Sequence, residues 1–75
     1  MLERKIRLRS MEDVTALVSA AEKCAFRVEV KNDQMSIDGK SIVGLVNLDL
    51  TRPLLVCLDG RDEALEKVLD RFQAE

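Results

Sequence analysis

The sequence contains no histidine, tryptophan or tyrosine in its 75 residues, and phenylalanine occurs only at Phe26 and Phe72. Without imidazole, no side chain has an ordinary pKa close to neutrality, and no ring nitrogen can carry a phosphoryl group. Two phenylalanines at core-like positions cannot form the row of exposed rings on which bases of single-stranded nucleic acid stack. The sequence therefore argues against histidine chemistry and predicts no nucleic-acid partner.

Cysteines and long apolar runs are also scarce. Cys24 and Cys57 lie far apart in the sequence, and without histidine they do not make a metal-ligand pattern. We expect no metal and no cofactor, with both thiols reduced and a disulfide as the alternative. No apolar run approaches the roughly 20 residues that span a bilayer, and the charged residues 1–5 do not resemble a signal peptide. These features predict a cytoplasmic protein without a membrane partner.

Charge and composition are those of a single globular domain over residues 1–75. The 12 basic and 14 acidic residues give a net charge of −2, so the chain as a whole has no attraction for nucleic acid. The one basic cluster is Arg4, Lys5, Arg7 and Arg9. If it lies on an alternating strand, it forms the solvated side, and the alternative is a patch for phosphate or an acidic partner.

Hydrophobic periodicity predicts seven elements. Alternation of apolar and polar residues indicates strands near residues 5–9, 26–31 and 35–38, and a continuous apolar run indicates a buried strand over 54–58. Helical spacing predicts a helix from Ser10 to about Cys24 or Ala25, a short helix within 40–48 and a final helix beginning at Arg61 or Asp62. We expect its buried stripe to contain Ala64, Leu65, Val68, Leu69 and Phe72. Leu65 and Leu69 should share a core with Leu17 and Val28.

The segment from Gly39 to Leu45, with Lys40, Ser41 and Gly44 within it, resembles the regulatory-serine region of HPr, the phosphocarrier of the bacterial sugar phosphotransferase system. Ungapped matching extends from about Ser10 to Leu50. The resemblance implies an α+β fold, an open-faced β-sandwich with a four-stranded antiparallel sheet covered on one face by three helices, in the order β-α-β-β-α-β-α. A ferredoxin-like βαββαβ domain with an extra helix is the alternative.

The resemblance fails at the catalytic motif of the family. Matching places Ser10 where HPr has its phosphoacceptor histidine, Glu12 where it has the helper arginine, and Asp13 where it has proline. Two carboxylates would repel an incoming phosphoryl group, whereas a helix N-terminus alone would attract it. A serine phosphoester is also too stable for rapid relay, and no base stands beside the hydroxyl. We expect Ser10 to cap the first helix and the chain to have no catalytic residue.

Ser41 matches the serine that a regulatory kinase phosphorylates in Gram-positive relatives, whose phosphorylated form binds a transcription regulator. The alternative is that Ser41 only caps a helix. In the family, exposed apolar residues of this short helix dock on partner proteins, and matching assigns that role to Val43 and Val46, with Ile42 beside them. Exposed valines also occur without a function.

The resemblance therefore implies a regulatory or protein-binding domain, not an enzyme, that has lost histidine phosphotransfer. It is similar in this respect to the catabolite-repression HPr paralogue, which also lacks the histidine and keeps the serine. The implied partners are an HPr-type serine kinase or a transcription regulator, and a homodimer is compatible with the sequence. The alternative is a small interaction or oligomerisation module unrelated to sugar uptake, because fold alone does not fix function. A phosphocarrier acting on another residue is a third, weaker hypothesis.

Overall fold

Seven helices and strands follow one another in the computed structural model, which describes residues 1–74. The strands are β1 (Leu2–Ile6), β2 (Val28–Lys31), β3 (Ser36–Asp38) and β4 (Leu54–Leu58). The helices are α1 (Met11–Glu22), α2 (Ile42–Val46) and α3 (Glu63–Arg71). The element order is therefore the β-α-β-β-α-β-α order that the sequence predicted. None of the helices within residues 1–74 is long and apolar enough to cross a membrane.

The four strands form one sheet in the order β1-β4-β2-β3. Each neighbouring pair among the described strands is antiparallel. The apolar strand β4 lies between β1 and β2, as its continuous hydrophobic run predicted. In the split βαβ arrangement of a ferredoxin-like domain, the third strand lies between the first and the second. Here the fourth strand lies between them, so that alternative is wrong. The fold is the predicted open-faced β-sandwich of HPr type, with three helices on one face of the sheet.

The core lies between that face and the helices. Leu17, Val28, Leu65 and Leu69 are at most 1% exposed and belong to one buried cluster, which confirms their predicted positions. α2 packs beside β3 at one edge of the sheet. At the other edge, Arg4 of β1 pairs with Glu66 and Asp70 of α3. α1 contacts both other helices and lies between them.

The first strand begins and ends earlier than the sequence predicted. It pairs with β4 from Leu2 opposite Leu58 to Ile6 opposite Leu54. The pairing stops there because the next residue of the partner strand is Pro53, which has no backbone N–H to donate. The Arg7 amide donates instead to the Phe72 carbonyl, and the Ala74 amide donates to the Lys5 carbonyl. Residues 72–74 therefore run along the outer edge of β1.

The basic cluster does not share one side, contrary to expectation. Every second residue of β1 points toward the helices, namely Leu2, Arg4 and Ile6. Arg4 meets carboxylates of α3 there. Lys5 points to the opposite face, and Arg7 and Arg9 lie beyond the strand. Arg4 is two residues from Ile6 and therefore lies on the same side of the strand. Arg7 and Arg9 are separated from Lys5 because the strand ends at Ile6.

Other boundaries differ by one to three residues. Phe26 precedes β2 and Met35 precedes β3, while α1 ends at Glu22 with Lys23 as its C-cap. Of the stripe predicted for the last helix, Leu65, Leu69 and the C-cap residue Phe72 are buried, Val68 is partly buried and Ala64 is exposed. Asp62 caps α3 and accepts a hydrogen bond from the Leu65 amide at 2.8 Å, so Ala64 falls in the first turn, on the solvent side of the helix.

Candidate functional site

Ser10 lies at the N-cap of α1, as the sequence predicted. Its hydroxyl oxygen accepts a hydrogen bond from the Asp13 amide at 3.2 Å, and its carbonyl accepts one from the Val14 amide. The Asp13 carboxylate reaches back and accepts from the Arg9 amide at 2.9 Å. This reciprocal arrangement resembles a capping box, with aspartate in place of glutamate. The hydroxyl of Ser10 therefore has a structural role at the helix start.

The first turn of α1, beside Ser10, contains two acidic side chains. Glu12 is exposed in the first turn of α1, next to the Asp13 carboxylate. The nearby Arg7 guanidinium donates to the Thr51 carbonyl at 2.8 Å and so holds the loop between α2 and β4. The carboxylates lower the attraction of this helix start for a phosphoryl group.

We expect no phosphoryl transfer from phosphoenolpyruvate and the general enzyme of the phosphotransferase system to this chain, because it lacks imidazole and Ser10 stands beside carboxylates. The measurement is incorporation of radiolabelled phosphate into purified protein, with a histidine-containing HPr as the positive control. Transfer to this chain at a rate comparable with the control would contradict the prediction.

Ser41 is the N-cap of α2 and is partly exposed. Its hydroxyl oxygen accepts a hydrogen bond from the Gly44 amide at 3.1 Å, and its carbonyl accepts one from the Leu45 amide at 3.1 Å. Ser41 therefore caps α2, as one of the two hypotheses for this residue predicted. Ser41 is a partly exposed residue, so its role as a cap and its modification by an enzyme do not exclude one another.

Two charged neighbours frame Ser41. The Asp38 carboxylate accepts from the Lys40 amide at 2.9 Å, and the Asp38 carbonyl accepts from the Ser41 amide. The Lys40 ammonium donates to the Cys24 carbonyl at 2.9 Å, so it is already engaged. Phosphate on Ser41 would thus meet a nearby carboxylate and would have to compete for the lysine.

The apolar residues predicted to bind partners are exposed. Val43 is 68% exposed, Val46 40% and Ile42 38%. Helical spacing places them side by side on α2, and we call them the α2 patch. The five-residue helix turns Leu45 into the core and brings Gly44 against Ile37 of β3, so its other side chains must face solvent. The structure therefore groups Ser41 with the three predicted contact residues on one short helix.

The cysteines are buried and not bonded to each other, so the disulfide alternative is wrong. Burial raises the pKa of the Cys57 thiol, and the carboxylates of Glu3 and Glu29 raise it further against an opposing effect of Lys31. Burial and Asp62 likewise raise the pKa of Cys24. A thiol with a raised pKa is a poor nucleophile at neutral pH, so these cysteines suit packing. Within residues 1–74 no cluster of side chains suits a metal ion.

A second surface was missed by the sequence interpretation. On the sheet face opposite the helices, strand pairing aligns two rows of side chains. The acidic row is Glu3, Cys57, Glu29 and Asp38, and the basic row is Lys5, Leu55, Lys31 and Ser36. The sequence has a glutamate and a lysine two residues apart in β1 and again in β2. This spacing predicts two rows of opposite charge only when the register between the strands is known.

Comparison with known proteins assigns no family to this arrangement. No protein-family model matches the chain, and no curated protein matches it in sequence.

Proposed function

We propose that this chain is a regulatory, protein-binding domain of HPr type that acts without histidine phosphotransfer and is not an enzyme. The observation that carries the proposal is the α2 patch, three adjacent apolar side chains exposed on a helix whose N-cap is Ser41. An exposed apolar group with polar surroundings is a common form of protein-interaction surface. The proposed partners are an HPr-type serine kinase and a transcription regulator.

In this proposal the patch and the serine have different roles. Val43 and Val46 supply apolar area that a partner buries, at roughly 25 cal/mol for each Å² removed from water. Phosphate on Ser41 would add nearly two negative charges at the edge of that area. The Ser41 cap bond and the Asp38 carboxylate would both have to adjust. Phosphorylation would therefore change partner choice and leave the fold as it is.

The test is incubation with an HPr-type serine kinase and ATP, followed by intact-mass measurement. We expect one phosphate on the parent protein and none on Ser41→Ala. The phosphorylated protein should then bind an HPr-responsive transcription regulator, and Val43→Asp should weaken that binding. Ala64→Asp is the matched control, because Ala64 is exposed on α3 at the opposite edge of the sheet.

Two results would count against this function. No incorporation, or equal incorporation in Ser41→Ala, would end the phosphosite hypothesis. Binding that is reduced equally by Val43→Asp and Ala64→Asp would show that added charge matters and the α2 patch does not. Either result would favour the alternative of a small interaction or oligomerisation module without a link to sugar uptake.

A further inference from the structure

The sheet face opposite the helices has an apolar centre surrounded by charge. Leu55 and Cys57 of the central strand β4 lie at this centre, and Cys57 is only 2% exposed although no helix of residues 1–74 covers it. Its cover therefore comes from longer side chains of the flanking strands. The Glu3 carboxylate lies 3.8 Å from the Cys57 sulfur, and the charges of Lys31 and Glu29 act on the same thiol.

The two rows differ in sign and are parallel. Successive residues on one face of a strand are about 6.8 Å apart, so the acidic row and the basic row run side by side across the sheet. In β1 Glu3 stands beside Lys5, and in β2 Glu29 stands beside Lys31. β4 contributes Cys57 to one row and Leu55 to the other. The acidic side and the basic side are thus matched strand by strand.

This pattern is complementary to itself. A twofold axis that lies parallel to the rows and midway between them turns a second copy over and places its acidic row on the basic row of the first. Glu3 then faces Lys5 and Glu29 faces Lys31, and the covered position of Cys57 lies over Leu55. Each pair occurs twice. Such an interface uses the same surface on both copies, as in most homodimers.

We propose that the chain forms a homodimer by stacking these open sheet faces about such an axis. Twisted sheets stacked face to face cross at about 30°, so the match holds best near the central strands. The decisive charges are therefore Glu29 and Lys31. Glu29 is ionised in the monomer, where it accepts a hydrogen bond from the Ser36 hydroxyl and lies 3.8 Å from the Arg27 guanidinium. Arg27 competes with the partner copy for this carboxylate.

The size of the face sets the strength of the dimer. Four strands of three to five residues, about 4.8 Å apart, cover roughly 280 Å², whereas standard interfaces bury about 800 Å² on each partner. Exposed ion pairs contribute little and are screened by salt. The dimer is therefore weak, depends on protein concentration and dissociates as salt is added.

The experiment uses charge reversal with a mixing control. Parent protein in sedimentation equilibrium at low salt should show increasing dimer up to about 1 mM, where pairs with millimolar dissociation constants are substantially formed. In a Lys31→Glu dimer the new glutamate of each copy would face Glu29 of the other copy. In a Glu29→Lys dimer the new lysine of each copy would face Lys31 of the other. Both contacts are repulsive and occur twice, so each variant alone should be monomeric. Their equimolar mixture restores both attractions in a heterodimer and should regain the parent's dimer fraction.

Lys67→Glu is the matched control, since it changes net charge equally on the exposed side of α3, and it should dimerise as the parent does. Thermal melting of each variant verifies that it is folded. Val43→Asp should leave the dimer unchanged, because the α2 patch lies on a different surface. A parent protein that is monomeric at about 1 mM overturns the proposal. Variants that still dimerise alone, or a mixture that stays monomeric, overturn it as well.

Discussion

Replacing Leu69 by alanine should lower the free energy of unfolding by about 2–5 kcal/mol. Leu69 is 1% exposed and packs in the cluster that joins α3 to the sheet, so its removal leaves a cavity as well as lost contacts. Natural domains are stable by only about 5–15 kcal/mol, and a domain of this size loses roughly 4–8 °C of melting temperature for each kcal/mol. Denaturant and thermal unfolding followed by circular dichroism measure the change.

Val43→Ala is the control for this prediction, because Val43 is 68% exposed and its truncation should change stability by less than about 0.5 kcal/mol. A Leu69→Ala protein that melts within a degree or two of the parent would show that α3 does not pack by this register. Equal losses in the two variants would contradict the assignment of core and surface.

Gly44→Ala should destabilise the domain even though alanine is the better helix former. In a helix interior, alanine is more stabilising than glycine by about 1 kcal/mol. A Cβ at position 44, however, would lie 2.5 Å from the Ile37 Cγ2 atom, and that methyl branch cannot turn away without moving the side chain. Overpacking of this kind costs about 1–3 kcal/mol, so after the helix gain is subtracted the net loss should be up to about 2 kcal/mol. Chemical denaturation measures it.

A double-mutant cycle tests the cause. Ile37→Ala removes the methyl group that the new Cβ would meet, at its own cost in stability. In that background Gly44→Ala should become neutral or stabilising, which gives a coupling energy of about 1 kcal/mol or more. If Gly44→Ala costs the same in both backgrounds, its effect comes from the helix itself and not from the approach of α2 to β3.

The fold could be predicted from the sequence where periodicity was unambiguous. Val14, Leu17 and Val18 mark one face of α1, and the apolar run from Leu54 identifies the central strand. β1 was misplaced because Leu8 continues the alternation of Ile6 and is also buried, although it lies outside the strand. The alternation within β1 contains no information about Pro53, which ends the pairing from the partner strand. That effect depends on which strands are neighbours in the sheet.

The candidate site was predicted in part. The exposure of Val43 follows from a helix too short to bury all its apolar residues, and the caps at Ser10 and Ser41 follow from hydroxyls that precede apolar turns. The engagement of Lys40 with the Cys24 carbonyl could not be predicted, because it joins residues from separate elements. The two rows on the open sheet face could not be predicted for the same reason, because they form only when the register between strands is known.

The edges of the sheet have a consequence for self-association of another kind. An unpaired edge strand is a template on which further strands can add, which is how amyloid-like fibrils grow. Here residues 72–74 occupy part of the outer edge of β1, with Gln73 bridged to Ile6. The opposite edge, β3, is only three residues long and includes Asp38. Neither edge offers a long, flat row of free amides and carbonyls, so the fold resists polymerisation through its strands.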